Sequence, residues 1–278
     1  MFALLNNLFK NKKYKLYYWG GRKNKNAGDI YNVDLMDYFG IKFSRCRKFE
    51  KANLISVGSN LDKLAIPSKT KMIITGAGFI FPPKDTDCIN RGVEVLALRG
   101  RLSKNRMENL LKQPLDDCVL GDPGILVSKI YPQNVSKKYK VGIIPHYVDK
   151  IEWNDEKIRL SKNDYKLIDI QQDVRDVVRE ICECECILSS SLHGLIFADS
   201  YNIPNRQLIM SDSVAGGCYK FEDYYSAYNE NLPEVIDLRK VAIDNNLIEN
   251  IINSYVSKDI NNVQKNLIKV FDFLKNGN

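Results

Sequence analysis

Short apolar runs closed by glycine recur along this chain, alternating with segments of helical period. No other feature constrains the fold so tightly. Residues 54–57 run into Gly58-Ser59-Asn60, residues 72–75 into Gly76-Ala77-Gly78, and residues 93–98 into Arg99-Gly100. Apolar runs of this kind are what strands covered on both faces look like. Strands that alternate with helices imply parallel pairing through crossover helices. An earlier strand over 14–19 closes on Gly20-Gly21, Gly28-Asp29 opens a helix to about Phe39, and Ser103 is a candidate cap for a helix to Leu111.

The pattern pauses at Gly121-Asp122-Pro123-Gly124 and the polar stretch 131–138, then restarts. Strands are expected over 140–145, 166–170, 186–188, 205–210 and 235–238. Asp173 caps a helix carrying Val174, Val177, Val178 and Ile181 on one face, and residues 192–201 read as a buried helix. Two amphipathic helices follow, one on Leu247, Ile248, Ile251, Ile252 and Tyr255, the other on Ile260, Val263, Leu267, Val270 and Leu274. At 278 residues the chain has room for two domains. The expectation is an α/β protein of two Rossmann-like domains facing a cleft, residues 1–130 and 131–278.

Composition removes several classes. With 44% apolar and 27% charged residues the chain is not of a disordered type. No run approaches the roughly 20 apolar residues of a spanning helix. The opening MFALLNNLF is too short and too Asn-broken for a secretory core, so a cytoplasmic location is expected. The net charge of +7 is uneven: Lys10, Lys12, Lys13, Lys15, Arg22, Lys23 and Lys25 precede the first acid, Asp29. Two readings stand, a solvated basic face, or a collar behind Phe2, Leu4, Leu5, Leu8 and Phe9 that docks weakly on an anionic membrane surface. No aromatic–basic repeat accompanies the charge, and nucleic acid is not an expected partner. Seven cysteines without an export signal are expected as free thiols, and Cys182, Cys184 and Cys186 lack the paired spacing of zinc sites. They read as small buried apolar residues entering a strand, and no metal is expected.

Ligands of open α/β sheets bind beyond the carboxyl ends of the strands. The richest such end is Ser189-Ser190-Ser191-Leu192-His193-Gly194. Hydroxyls and the unpaired N–H groups of a helix start converge there, which suits a phosphate or carboxylate. His193 falls in the first turn, placed to exchange a proton, or it is a core histidine behind a serine cap. Gly194 is read as permitting close approach of a ligand. Arg99 ends a strand and is expected to project into the same crevice, where a guanidinium pairs with an anion. His146 and Tyr147 end the first strand of the second half and face the cleft. Asp29, behind Asn26 and Gly28, either favours a helix start or meets sugar hydroxyls. Gly76 and Gly78 lack the third glycine of a dinucleotide fingerprint, so no nicotinamide cofactor is expected.

Taken in order, Asn26-x-Gly28-Asp29, Gly76-x-Gly78, Leu98-Arg99-Gly100 with Ser103, Gly121-Asp122-Pro123, Ile144-Pro145-His146-Tyr147 and Ser190-Ser191-Leu192-His193-Gly194 resemble the polysaccharide pyruvyl transferase family from about Tyr17 to Pro204. The resemblance implies a fold similar to GT-B glycosyltransferases. It implies transfer of the carboxyvinyl group of phosphoenolpyruvate to a sugar of a cell-surface glycan or its lipid-linked precursor, giving a pyruvate ketal with no cofactor. On that reading His193 is the acid, or the phosphate partner that supports its departure, and Arg99, Ser190, Ser191, Leu192 and Gly194 hold the donor. Asn26, Gly28, Asp29, Gly76, Gly78, His146 and Tyr147 border the acceptor or the cleft, with Asp29 or His146 as acceptor base. Some relatives carry Arg before the Leu, where this chain has Ser191, which throws more of the anion onto Arg99 and the helix end. Two other readings remain at this point: a GT-B-type transferase using a nucleotide sugar, with Glu222 on the ribose, and a catalytically silent scaffold.

Overall fold

A computed structural model describes residues 13–20, 25–149 and 157–276. Among them eleven strands form two wholly parallel sheets. The first holds β1 (Tyr14–Tyr17), β2 (Phe43–Arg45), β3 (Leu54–Ile55), β4 (Met72–Thr75), β5 (Val93–Leu98) and β6 (Val119–Leu120), in the order β2-β1-β3-β4-β5-β6. The second holds β7 (Tyr139–Ile144), β8 (Tyr165–Leu167), β9 (Cys184–Ser189), β10 (Asn205–Ile209) and β11 (Ile236–Asp237), in the order β8-β7-β9-β10-β11. Both sheets therefore begin between two neighbours and grow outward from their first strand. The direction of growth reverses between β1 and β3 in one sheet and between β7 and β9 in the other. Such reversal points are where doubly wound sheets open a crevice.

Eight α-helices accompany the strands: α1 (Ala27–Tyr38), α2 (Arg101–Leu111), α3 (Val127–Ile130), α4 (Val174–Cys182), α5 (Leu192–Ser200), α6 (Tyr219–Ser226), α7 (Asn245–Ser254) and α8 (Ile260–Asn276). Side chains of the strands alternate between layers, as a pleat requires. Leu16 and Leu54 join one apolar cluster while Tyr17 and Ile55 join another. Ile144 and Ile187 share the first cluster, whereas Ile143 and Leu188 face a third. That first cluster is the middle layer. It takes residues from both sheets and from α1, α4, α5 and α8, so the two halves have one core in common.

The expected boundary at residue 130 thus separates the sheets but not the packing. α8 returns to the first half, where Tyr14 Oη donates to the Leu274 carbonyl at 2.9 Å and Phe271 stacks on Phe39 at 4.9 Å. Ser103 is not a cap. It lies inside α2, whose N-cap is Gly100, and Asp223 from α6 takes over the role by accepting from the Ser103 N–H at 2.7 Å. Asp173 caps α4 as expected, accepting from the Arg175 N–H. Cys182, Cys184 and Cys186 are buried free thiols, and burial pushes each up to about 12. No helix among the described residues is long and apolar enough to cross a membrane. The proposed apolar–basic docking segment lies mostly in residues 1–12 and 21–24, outside the described residues.

Candidate active site

A cavity of about 390 Å³ opens where the two reversal points meet. Trp19, Asn26 and Asp29 reach it after β1, and Ser59 and Asn60 after β3. His146 and Tyr147 enter after β7, and Ser191, Leu192 and His193 after β9. Each half supplies both of the strands that flank its own crevice, so one cavity draws on both. Its volume lies within the usual range for small-ligand sites.

The helix start at α5 is open to a ligand. Ser191 precedes it without making a side-chain cap. The Ser191 hydroxyl instead accepts from Asn26 Nδ2 at 3.3 Å, while Asn26 Oδ1 caps α1 by accepting from the Gly28 N–H. One asparagine thereby ties the two helix starts together. His193 packs against α1 so closely that a Cβ on Gly28 would lie 2.0 Å from its Cγ and Nδ1. Only glycine at 28 admits the ring. His193 Nε2 is buried without a hydrogen-bond partner, 4.0 Å from Asp122 Oδ2, which is also unpartnered. Asp122 Oδ1 is occupied, accepting from the Gly124 N–H at 2.8 Å.

Arg99 departs from expectation. It does not line the cavity: it is fully buried, and its guanidinium is consumed by Asp223 at 2.9 Å, Ser59 Oγ at 2.6 Å and the Phe79 carbonyl at 2.5 Å. Gly78 is the space it occupies, since a Cβ there would lie 2.2 Å from Arg99 Cζ. The ion pair joins β5 to α6 across the two halves. It sets Ser59 at the cavity wall and contributes positive potential from beneath. Two cations do line the cavity: Lys63, whose ammonium sits over the Trp19 ring at 5.4 Å, and Lys220 of α6, which is 7% exposed and makes no hydrogen bond to a described residue.

Burial dominates the titration of the site. Lys220 is pulled down to about 8 by burial and by Arg99, against the pull of Asp29 and Asp149. Asp29 is pushed up to about 7, again by burial first. His146 and His193 are both pushed down to about 3, burial leading, with Lys220 adding to each and Arg99 to His193. Asp122 rises to about 6 through burial, partly offset by the Gly124 N–H and Arg99. The cavity wall thus carries two ammonium groups, Lys63 and Lys220, beside two carboxyls, Asp29 and Asp62, of which Asp62 is already paired with Arg106 at 3.2 Å. Neutral imidazoles and ammonium groups on one wall suit an anionic ligand.

Not every predicted residue is brought here. Ser190 turns to a neighbouring cavity of about 370 Å³, donating to Asp149 at 2.6 Å and accepting from the His146 N–H at 2.8 Å. It steadies the His146 backbone instead of meeting the donor. A Cβ on Gly194 would meet Ser189 Oγ at 2.3 Å, so this glycine serves helix-to-strand packing and not ligand approach. Gly76, at φ +120°, is filled by Pro123 in the same way. Glu222 is exposed on α6 and lines none of these cavities. Sequence reasoning missed Lys220, the approach of Asp122 to His193, and the aromatic mouth of Trp19 and Phe81, which are 42% and 39% exposed. Lys220 follows the end of β10 through Ser211, Ser213, Gly216 and Gly217, a glycine- and serine-rich strand end of the kind that marked the other site residues, so a signal was there to be read.

Comparison with known proteins yields a match to the polysaccharide pyruvyl transferase family over residues 1–209. The uncharacterised protein L143 of Acanthamoeba polyphaga mimivirus is 28% identical over 91% of this chain and 94% of its own length. The succinoglycan biosynthesis protein ExoV of Rhizobium meliloti is 25% identical over 76% of this chain, spanning 63% of that protein. Among solved structures, a functionally uncharacterised protein of Klebsiella pneumoniae aligns over 85% of this chain and 96% of its own, with a TM-score of 0.45 at 14% identity. The wall teichoic acid polymerase TagF aligns over 97% and 86%, with a TM-score of 0.37 at 11% identity.

Proposed function

The chain belongs to the polysaccharide pyruvyl transferase family, and from that premise we propose that it moves the carboxyvinyl group of phosphoenolpyruvate onto a sugar of a surface glycan or its lipid-linked precursor, forming a pyruvate ketal. The observation that carries the reading is the convergence of Lys220, the uncapped start of α5 and His193 on one cavity. Phosphoenolpyruvate is a small, rigid molecule with phosphate and carboxylate charges. The ammonium and the helix N–H groups would hold one of these anions, with Arg99 reinforcing them from below. Ser191, where some relatives are read to carry Arg, leaves that cationic duty to Lys220.

The chemistry follows from what the residues can give and take. His193 protonates the methylene carbon of the donor, leaving an oxocarbenium-like centre at the adjacent carbon. A sugar hydroxyl adds there and its proton passes to Asp29, whose raised affinity for protons suits a base near neutral pH. A second hydroxyl of the same sugar then displaces phosphate and closes the ketal, its proton leaving on the departing phosphate. Lys220 neutralises the leaving phosphate. The acceptor ring is assigned to the mouth, where Trp19 and Phe81 offer faces for its apolar side. The basic, apolar-led segment before Asp29 would bring the enzyme to a lipid-linked acceptor.

The test is a phosphate-release assay with phosphoenolpyruvate across lipid- or aryl-linked galactose, mannose and N-acetylmannosamine acceptors, paired with thermal-shift measurements. Stabilisation by phosphoenolpyruvate and acceptor-dependent phosphate release are expected. Stabilisation by nucleotide sugars alone would reject the proposal.

A further inference from the structure

Two buried polar atoms face one another beneath the cavity with nothing else to bond. His193 Nε2 and Asp122 Oδ2 both lack a partner, and 4.0 Å separates them. An orphaned buried carboxylate oxygen is destabilising unless something is gained by it. The separation is too long for a hydrogen bond, and an approach of about 1 Å would make one. Asp122 is fully buried, and its other oxygen is fixed by the Gly124 N–H, so the carboxylate cannot turn to seek another partner.

The surroundings explain why the pair is open without ligand. His193 faces Arg99, Lys220 and His146, and the two cations oppose a third positive charge on its ring. Asp122 faces Arg99, Asp223, Asp29 and the buried phenols of Tyr31 and Tyr228. A bound dianion would cancel the cations facing His193 and remove the opposition. We propose that Asp122 is a positioning residue for the transfer reaction: when an anionic donor occupies the cavity, His193 takes a proton from solvent, closes on Asp122 through Nε2–H, and gives the proton on Nδ1 to the donor carbon. The inference rests on the proposed donor. After the transfer the imidazole is again neutral, still hydrogen-bonded through Nε2–H, and the donor carbon has gained one C–H bond. The proton for the next cycle comes from solvent once a new donor binds.

The chain holds only two histidines, so ¹⁵N-histidine labelling gives two imidazole signals, assigned with His146→Gln. At pH 7 both rings should read neutral in the free protein. Adding phosphoenolpyruvate without acceptor should shift His193 to the imidazolium form in the wild type. Asp122→Asn keeps an oxygen for the Gly124 N–H and replaces only the oxygen that faces the ring. In that variant His193 should stay neutral while the His146 signal still reports binding. Its kcat should fall roughly 10²–10⁴-fold, with KM for phosphoenolpyruvate little changed. A purely structural Asp122 would leave Asp122→Asn with wild-type charging and turnover, which would overturn the inference. So would a wild-type His193 that stays neutral while His146 responds to the donor. No response of either ring would overturn the donor assignment itself, and this inference with it.

Discussion

Lys220 and Asp29 are the cavity groups whose charge changes closest to physiological pH, near 8 and near 7. With His193 already charged in the donor complex, the base must still be ionised to accept a proton, so kcat at saturating donor should rise as pH passes about 7. The ammonium must stay charged to hold the donor, so kcat/KM should fall as pH passes about 8. The two groups interact, and the two limbs belong to the pair. Asp29→Asn should erase the acid limb and lower kcat; a pH–rate profile of that variant with the limb intact would remove Asp29 as the base. Lys220→Met should raise KM for phosphoenolpyruvate roughly 10- to 150-fold, the value of one charge-assisted hydrogen bond. Initial-rate kinetics of phosphate release measure it. His193 and Asp29 were legible in the sequence because they follow glycine- and serine-rich strand ends. Arg99 was legible as important but misplaced, since no sequence pattern reveals that Asp223, 124 positions away, pairs with it and holds it out of the cavity.

The elements meet through glycines filled by side chains from elsewhere. Gly28 of α1 makes room for the His193 ring of α5, and Gly78 for the guanidinium that leaves β5. Sequence reading assigned both glycines to the cleft, where they stand for close contact of protein with protein. Gly28→Ala should leave α1 folded, since alanine is the better helix former, yet displace the His193 ring. A misplacement near 1 Å costs about 10²-fold in rate. The variant should therefore lose about that much kcat and, because the new Cβ also lies 2.6 Å from the His193 Cβ, melt at a lower temperature while keeping the wild-type far-UV spectrum. Unchanged turnover would separate His193 from the chemistry. The strands themselves were readable from their unbroken apolar runs. β2, β6 and α6 were not: β2 is three residues of mixed polarity, β6 is two residues long, and α6 is polar, with Asp223 turned inward by Arg99 and Ser103 of the first half.

Across the whole molecule the two sheets are joined by a middle layer, not merely placed face to face. The repeat of strands and helices announced two halves, and the sheets divide where it pauses. It could not announce that α8 packs under the first sheet, because its apolar stripe fits any buried face. Denaturant unfolding should accordingly show one transition for both halves, followed by tryptophan fluorescence and far-UV circular dichroism. Phe271→Ala should destabilise the protein by about 3–5 kcal/mol without splitting that transition. Two separated transitions would mean that the halves stand alone. A shared core also holds the two crevices in register, and so sets Lys220, Asp29 and His193 around one cavity, as the proposed reaction requires.

The most direct test is mass spectrometry of a glycoside acceptor after incubation with phosphoenolpyruvate and each of three proteins. Wild-type enzyme should add one carboxyethylidene group per phosphate released, and His193→Ala and Lys220→Met should not do so at a comparable rate. Wild-type yields from both variants would contradict the account.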